Sequence, residues 1–386
     1  MFLPPFCPNP ECAAHGSTGE AFPQRFCIQA GTYMTKVVGR VQRFSCIRCG
    51  KGFSERTFSI DYYTKKTLDY REILRATTAS ESVSSISRKL SCSGESIQNR
   101  QDRLGRNCLA VHERLMEGHR LVEDLCADGF ESFDRSQFWP NAINLLVGVD
   151  SQFLYGATHA TLRRKGRMTP SQKARRDAYD LIFKPSPGAL SRSFKSLMDR
   201  IEPMWDRSRM PRLVLRTDEH PAYPRAIQSS RGLGAAGKDK SFVHECHSSR
   251  LARTRHNPLF PVNYYDRELR KDIAAYRRES TCHGRNVANG LLRFAHHQLW
   301  HNYLKPWRIT RTAEKPEVHA VFAGIGKGDI EAQMEGLYRD RRFLSHLKLN
   351  PETKKIWLKE HPTPLKEGKD YVPAFAKADR LQGSRN

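Results

Sequence analysis

The sequence predicts an α/β protein whose main body is a mixed sheet with flanking helices, preceded by a small cysteine-stapled module and a short run of helices. Three observations carry this. Two close cysteine pairs open the chain, Cys7 with Cys12 and Cys46 with Cys49. Apolar residues at helical spacing follow between Leu68 and Leu104. From Leu121 onward, short apolar runs joined by tight turns give way to a helix, a further strand and a further helix.

The cysteines come first in the chain. Zn²⁺ favours four soft ligands in a tetrahedron, and two short Cys-x₂₋₄-Cys hairpins each supply two thiolates from a tight turn. Cys7, Cys12, Cys46 and Cys49 therefore read as a structural zinc site in a zinc ribbon spanning residues 1–60. Disulfide pairing is the alternative. It is disfavoured because no secretory leader is legible and Cys27, Cys92, Cys108, Cys126, Cys246 and Cys282 are scattered, as free thiols in a reducing cytoplasm would be. Thr35 to Val41 and Arg43 to Ser45 alternate as short strands, with Gly31 and Gly39 as turn residues.

The formal charge is +24 over 386 residues. Excess lysine and arginine on this scale favours polyanions, because each neutralised phosphate releases condensed counterions. A membrane surface is the competing polyanion, but no apolar run is long enough to span a bilayer and no basic amphipathic anchor is present. Double-stranded DNA is the expected partner, membrane is not, and the location that fits is cytoplasmic and nucleoid-associated.

In residues 61–118, a helix begins near Leu68. Val83, Ile86 and Leu90 then share one face, as do Ile97 and Leu104, with Ser91-Cys92-Ser93-Gly94 as the turn between them. That is the layout of a helix-turn-helix, whose second helix would offer Ser96, Gln98, Asn99, Arg100 and Arg103 to DNA. A helical hairpin with a merely solvated polar face is the alternative.

Residues 119–310 form the predicted catalytic domain. Leu125–Phe133 is an apolar strand interrupted by Asp128, and Asn141–Asp150 and Phe153–Thr158 are the next two strands. A basic insertion follows, with Arg163, Arg164, Lys165, Arg175 and Arg176 as candidate phosphate contacts. Leu190–Trp205 is a helix with a core stripe of Phe194, Leu197, Met198 and Ile201. The strand from Pro211 ends on Asp218. Three strands, a helix, a strand and a helix is the succession of the ribonuclease-H-like fold, in which the strand after the crossover lies parallel to the first. Asp128 and Asp218 then sit on neighbouring backbones, a costly arrangement unless Mg²⁺ or Mn²⁺ neutralises it. The helix read as starting after Pro261 places Asp266 in its first turn as the third acid, with Glu268, Asp272 and Glu279 as rivals.

Taken together, Cys7-x₄-Cys12 with Arg43–Ser54, Ala127-Asp128-Gly, Gly148-Val-Asp150-Ser, Arg216-Thr-Asp218 with Ala222-Tyr223, and Asn263-x-x-Asp266-Arg resemble the bacterial insertion-sequence transposases with an acidic triad. Those proteins carry an N-terminal zinc ribbon and a helix-turn-helix before a ribonuclease-H-like core. The resemblance covers roughly residues 5–305. It departs from the pattern at the third acid, usually glutamate and here Asp266, and has no counterpart for Leu162–Pro187 or for the basic C-terminal extension at 311–386. It implies a DNA transposase: a polynucleotidyl transferase using two metals, with Asp128 bridging both ions, Asp218 holding one and Asp266 the other, and a homo-oligomer assembled on DNA. A domesticated DNA-binding regulator without strand chemistry is the alternative function.

Other motifs are set aside. Gly232 to Asp239 approximates a P-loop but lacks the magnesium-binding hydroxyl and a leading strand. Cys246 with His244 or His247 is a weak second zinc candidate, and His296, His297 and His301 read as packing or phosphate contacts.

Overall fold

The computed structural model describes residues 2–16, 26–230, 233, 241–277, 281–308, 316–373 and 375–377. The cysteine module holds a three-stranded antiparallel sheet, β1 (Cys27–Thr35), β2 (Gly39–Cys46) and β3 (Gly52–Ser54), in the order β1-β2-β3. The hairpin turn lies at residues 36–38, so the strand expected over Thr35–Val41 straddles it. Gly31 is no turn residue: it sits where the β1–β2 register shifts between Gln29 and Thr32. Period-two alternation locates strands better than it locates the bend between them, because both arms of a hairpin share the pattern.

The helical segment gives α1 (Tyr70–Thr78), α2 (Val83–Lys89) and α3 (Gly94–Met116). Each has an N-cap that accepts from the first turn: Asp69 from the Arg71 and Glu72 N–H groups, Ser82 from Ser85 and Ser93 from Ser96. Leu68, Ile73, Ala76, Ile86 and Ile97 pack into a small core of their own. α3, however, runs 23 residues, and its remainder is buried against α8 (Val287–Tyr303). At Gly105 a Cβ would lie 2.7 Å from the Leu292 carbonyl oxygen, so only glycine permits this helix crossing.

The main sheet has the order β6-β5-β4-β7-β8, built from β4 (Leu125–Phe133), β5 (Pro140–Gly148), β6 (Leu154–Thr161), β7 (Arg212–Asp218) and β8 (Ser241–His247). β4, β5 and β6 form an antiparallel meander, while β7 lies parallel to β4 and β8 parallel to β7. Buried Glu123 locks the β5–β6 turn by accepting from the Asp150 and Ser151 N–H groups and the Tyr155 hydroxyl. The basic insertion forms α4 (Pro170–Asp180), with a Thr169–Gln172 capping box. α5 (Ala189–Asp206) packs its Phe194, Leu197, Met198 and Ile201 stripe toward β5 and β6, and α6 (Ala222–Ser229) packs on α5. α7 (Phe260–Asp272) lies against β4 and β5.

The boundaries expected at 118 and 310 do not separate cores. One apolar cluster runs from Ile60 and Leu104 through the sheet to Leu337, Trp357 and Phe375. Fully buried Arg106 donates to the Trp357 carbonyl at 3.0 Å, and Asn107 donates to the Leu337 and Asp340 carbonyls. The C-terminal extension also holds the cysteine module, through Ile60 N–H to the Arg339 carbonyl, Arg341 N–H to the Phe58 carbonyl, and a Phe6, Phe58 and Phe343 cluster. Among the described residues no helix is long and apolar enough to cross a membrane.

Candidate functional site

The four expected zinc ligands converge. Cys7, Cys12, Cys46 and Cys49 place their sulfur atoms all within 4.8 Å of one another, with Cys7 to Cys49 at 3.7 Å and Cys12 to Cys46 at 3.8 Å. A tetrahedron with Zn–S bonds of about 2.3 Å requires sulfur separations of about 3.8 Å, so the donor set fits zinc. Two tight turns set it: Cys12 N–H donates to the Asn9 carbonyl, and Gly50 N–H donates to the Cys46 carbonyl with Gly50 at φ 70°. Burial pushes the Cys7 and Cys12 thiols up. At Cys49 burial acts the same way, but hydrogen bonds from the Lys51 N–H, Asn9 and the neighbouring thiols outweigh it and leave a pKa of about 7. Metal binding as thiolates releases these protons and removes the burial penalty. Beneath the site, His15 bridges the Cys7 carbonyl oxygen at 2.6 Å and the Ser345 hydroxyl at 2.8 Å. All ten cysteines are free of disulfides.

The acids of the main sheet behave differently. Cys126 of β4 registers with Arg216 of β7, and Asp128 and Asp218 each lie two residues further along these parallel strands. Asp128 is half-buried and is pushed up to about 6, first by burial and then by the Asp218 charge, against hydrogen bonds from the Gly129 N–H and the Tyr223 hydroxyl and against the Arg253 charge. Tyr223 of α6 donates to Asp128 at 3.3 Å, and its own hydroxyl is pushed far up by burial and by both aspartates. Asp218 accepts the His220 N–H at 2.9 Å. Among the described residues neither aspartate has a salt bridge, in a chain with 65 lysines and arginines.

Asp266 lies nearby, since its charge and that of Asp128 both raise the Cys126 thiol after burial has done so. It is not in the first turn of its helix. α7 begins at Phe260, three residues earlier than expected, because Pro261 is accommodated inside the first turn, where no N–H is required. Of the rivals, Glu268 is buried and paired with Lys305 at 2.5 Å and Lys271 at 2.6 Å, and Asp272 meets His297 at 3.4 Å and Lys271 at 3.6 Å. Glu279 lies outside the described residues. Among the described residues, the four thiols are the metal-ligating group of three or more whose donor atoms lie within 4.8 Å of one another; the three aspartates are not that close together.

The helix expected to read DNA is mostly committed inside the protein. Arg100 is buried, donates to the Lys66 carbonyl at 2.5 Å and faces Asp61 at 3.9 Å; Arg103 is buried, donates to the Ile60 carbonyl at 2.7 Å and stacks over Phe375. Asn99 accepts from both arginines, and Gln98 bridges Asp102 and Arg293. Ser96, half-exposed, is in contact with the Ser93 cap. These side chains anchor α3 to the cysteine module and to α8, a correction that follows from the length of α3: its middle is core, not surface. In the basic insertion Arg163 is held by Asp180 at 2.6 Å and Asp177 at 2.9 Å, Arg164 donates to Gln137, and Arg176 pairs with Asp177, whereas Lys165 and Arg175 are exposed.

His296, His297 and His301 are fully buried on α8, which settles them as packing residues. His244 and Cys246 approach at 3.7 Å but gather no third ligand among the described residues. The P-loop-like stretch lies outside the described residues apart from Leu233. A cavity of about 370 Å³ between α3, α5 and residues 348–352 is lined by Glu113 and Arg200 and touches none of the expected site residues. Comparison with protein-family models and with curated proteins finds no match to this chain.

Proposed function

We propose that the protein is a metal-dependent polynucleotidyl transferase of the transposase type, cleaving DNA strands at element ends and joining them to target DNA, with a ribonuclease-H-like core. The observation that carries this is the pair Asp128 and Asp218: two carboxylates within each other's field, at one end of paired parallel strands, with no cationic side chain bonded to either among the described residues. The strand order β6-β5-β4-β7-β8, antiparallel on one side of β4 and parallel on the other, supports the fold reading. Asp128 and Asp218, with Asp266 from α7, would hold Mg²⁺ or Mn²⁺. Such ions supply Lewis-acid activation of the attacking hydroxyl and stabilisation of the leaving oxygen in an in-line displacement at phosphorus. The residues of this chain do the positioning. Tyr223 orients one Asp128 oxygen by donating to it, and the His220 N–H fixes Asp218.

A DNA-binding regulator of the same architecture, without strand chemistry, is the second reading. It is favoured by the fact that the three aspartates do not come within 4.8 Å of one another. Under the first reading, purified protein cleaves or joins DNA with Mg²⁺, and Asp128→Ala and Asp218→Ala abolish this. Equal activity in all three proteins removes the site assignment, and an inert parent that still binds DNA supports the regulator.

A further inference from the structure

The segment joining β8 to α7 is basic and carries no acid of its own. From Cys246 to Tyr265 there is no acidic residue, while Arg250, Arg253 and Arg255 follow one another at short intervals beside His256. Residues 251–256 are all exposed. The loop is nevertheless built, because buried Asn257 donates to the Leu251 and Ala252 carbonyls and accepts from the Leu259 N–H. An Asn that ties both ends of a loop to itself fixes the backbone and turns the intervening side chains outward. None of Arg250, Arg253 and Arg255 forms an ion pair among the described residues, unlike Arg163, Arg176 and Arg200.

The location of these cations matters more than their number. The Arg253 charge is felt at Asp128. Arg255 and His256 line a cavity of about 370 Å³ together with Arg216, Glu245 and Phe260. Arg216, two residues before Asp218, is already held between Glu245 at 3.3 Å and Asp124 at 3.9 Å, so the uncompensated positive charge of this cavity comes from the loop. Among the described residues, Asp128 and Asp218 thus form no ion pair, while the Arg253 guanidinium is close enough for its charge to act on Asp128 without being bonded to it. A bound phosphodiester satisfies the guanidiniums, which match phosphate oxygens in a bidentate fork.

We propose that the loop between β8 and α7 is a phosphate clamp, in which Arg253 takes the DNA phosphate nearest Asp128 and Asp218, and Arg255 with His256 takes a neighbouring phosphate of the same strand. The inference rests on the proposed function only in taking DNA as the polyanion. It moves the main strand contact away from α3, whose Arg100 and Arg103 are buried in the protein, and leaves the exposed Lys165 and Arg175 of the insertion around α4 as secondary contacts.

The test measures binding apart from chemistry. Full-length protein is titrated with a short fluorescein-labelled DNA duplex ending in a single-stranded overhang, in Ca²⁺, over a series of salt concentrations. Arg253→Ala/Arg255→Ala is expected to bind at least about tenfold more weakly and to lower the slope of log K against log salt by about 2, roughly 0.9 per lost phosphate contact. Arg253→Lys/Arg255→Lys keeps the charges and is expected to restore the slope. Arg209→Ala/Arg212→Ala, which removes two exposed cations at the opposite end of β7, controls for net charge and is expected to leave affinity within about threefold, as contacts remote from the strand should. Unchanged affinity and slope in the first variant, or an equal loss in the control, overturns the clamp. If the parent shows no Mg²⁺-dependent cleavage while binding still depends on Arg253 and Arg255, the clamp stands and the transferase reading falls.

Discussion

The four thiols and the two aspartates confront the same difficulty, like groups held close together within a fold, and the chain meets it in opposite ways. The cysteine site is closed. Two of its sulfur pairs already stand at tetrahedral separations, and β1 beside it is too exposed to hold itself by apolar packing. The aspartate pair is open: it lies where β7 ends beside the middle of β4, with Tyr223 as the side-chain donor to Asp128 and no bonded cation among the described residues. Nearby Glu268 makes the contrast sharper, since it is more deeply buried than either aspartate yet fully neutralised by Lys271 and Lys305. The acids proposed to hold metal thus differ from Glu268 not in deeper burial but in having no ion-paired cation among the described residues.

The largest expected effect is at the closed site. If the four cysteines hold zinc, Cys46→Ser or a strong chelator is expected to release it and to unfold the β1–β3 sheet, a loss on the order of 10 kcal/mol by analogy with other structural zinc modules. Metal analysis and limited proteolysis between residues 26 and 58 read this out. A metal-free protein with that sheet still protected would place its stability in the Phe6, Phe58 and Phe343 cluster instead.

At the open site, Asp128→Asn and Asp218→Asn are expected to lower Mg²⁺-dependent strand cleavage by about a thousandfold without lowering the melting temperature. Glu268→Gln is the reverse case. Breaking a buried, paired charge strands Lys305 and is expected to cost on the order of 3 kcal/mol in chemical denaturation, with cleavage per folded molecule retained. If Glu268→Gln instead abolished cleavage in a stable protein, the third acid would have to be reassigned from Asp266.

Much of this contrast is legible in the amino-acid sequence itself. Cysteine spacing in tight turns dictates a site almost by itself, and the apolar runs around Asp128 and Asp218 place both acids on strands, as observed for β4 and β7. β8 is not legible as a strand because its sequence, Ser-Phe-Val-His-Glu-Cys-His, is too polar to resemble a core strand; it is an edge strand, half-buried along most of its length. The burial of the α3 face expected to meet DNA is hidden from the sequence for a related reason. Arginine and asparagine are normally solvated, and nothing local in the sequence reveals that Arg100, Arg103 and Arg106 satisfy backbone carbonyls of segments 34 to 251 residues away. The loop from Arg250 to His256 carries no distinguishing signal, because residues 21–54 and 151–176 are also basic and free of acids; what sets it apart is the proximity of Asp128, which only the fold supplies.

The smallest effect is also the most direct probe of the open pair. Asp128 is raised from 3.8 to about 6, chiefly by burial and then by Asp218, so between about pH 4 and pH 6 the native chain keeps a proton that the unfolded chain has released. Stability owed to that proton is present at low pH and is lost as pH rises through 6. Asp128→Asn never ionises, and is expected to exceed the parent by on the order of 2 kcal/mol above pH 6 and to converge on it near pH 4. Buried imidazoles act in the opposite direction: burial holds His112 and His296 near 3 and His119 and His319 near 4, so the unfolded chain binds more protons below about pH 6.5 and both proteins weaken together on acidification. Subtracting the two denaturation curves cancels that shared loss and leaves the Asp128 contribution. Added Mg²⁺ is expected to close the gap by stabilising the parent alone, since a cation bound by the native carboxylates adds RT ln(1 + [L]/Kd). A difference that stays flat from pH 4 to pH 7, or one that Mg²⁺ does not narrow, would mean that Asp128 is an ordinary solvated acid and that the open site is not a metal site.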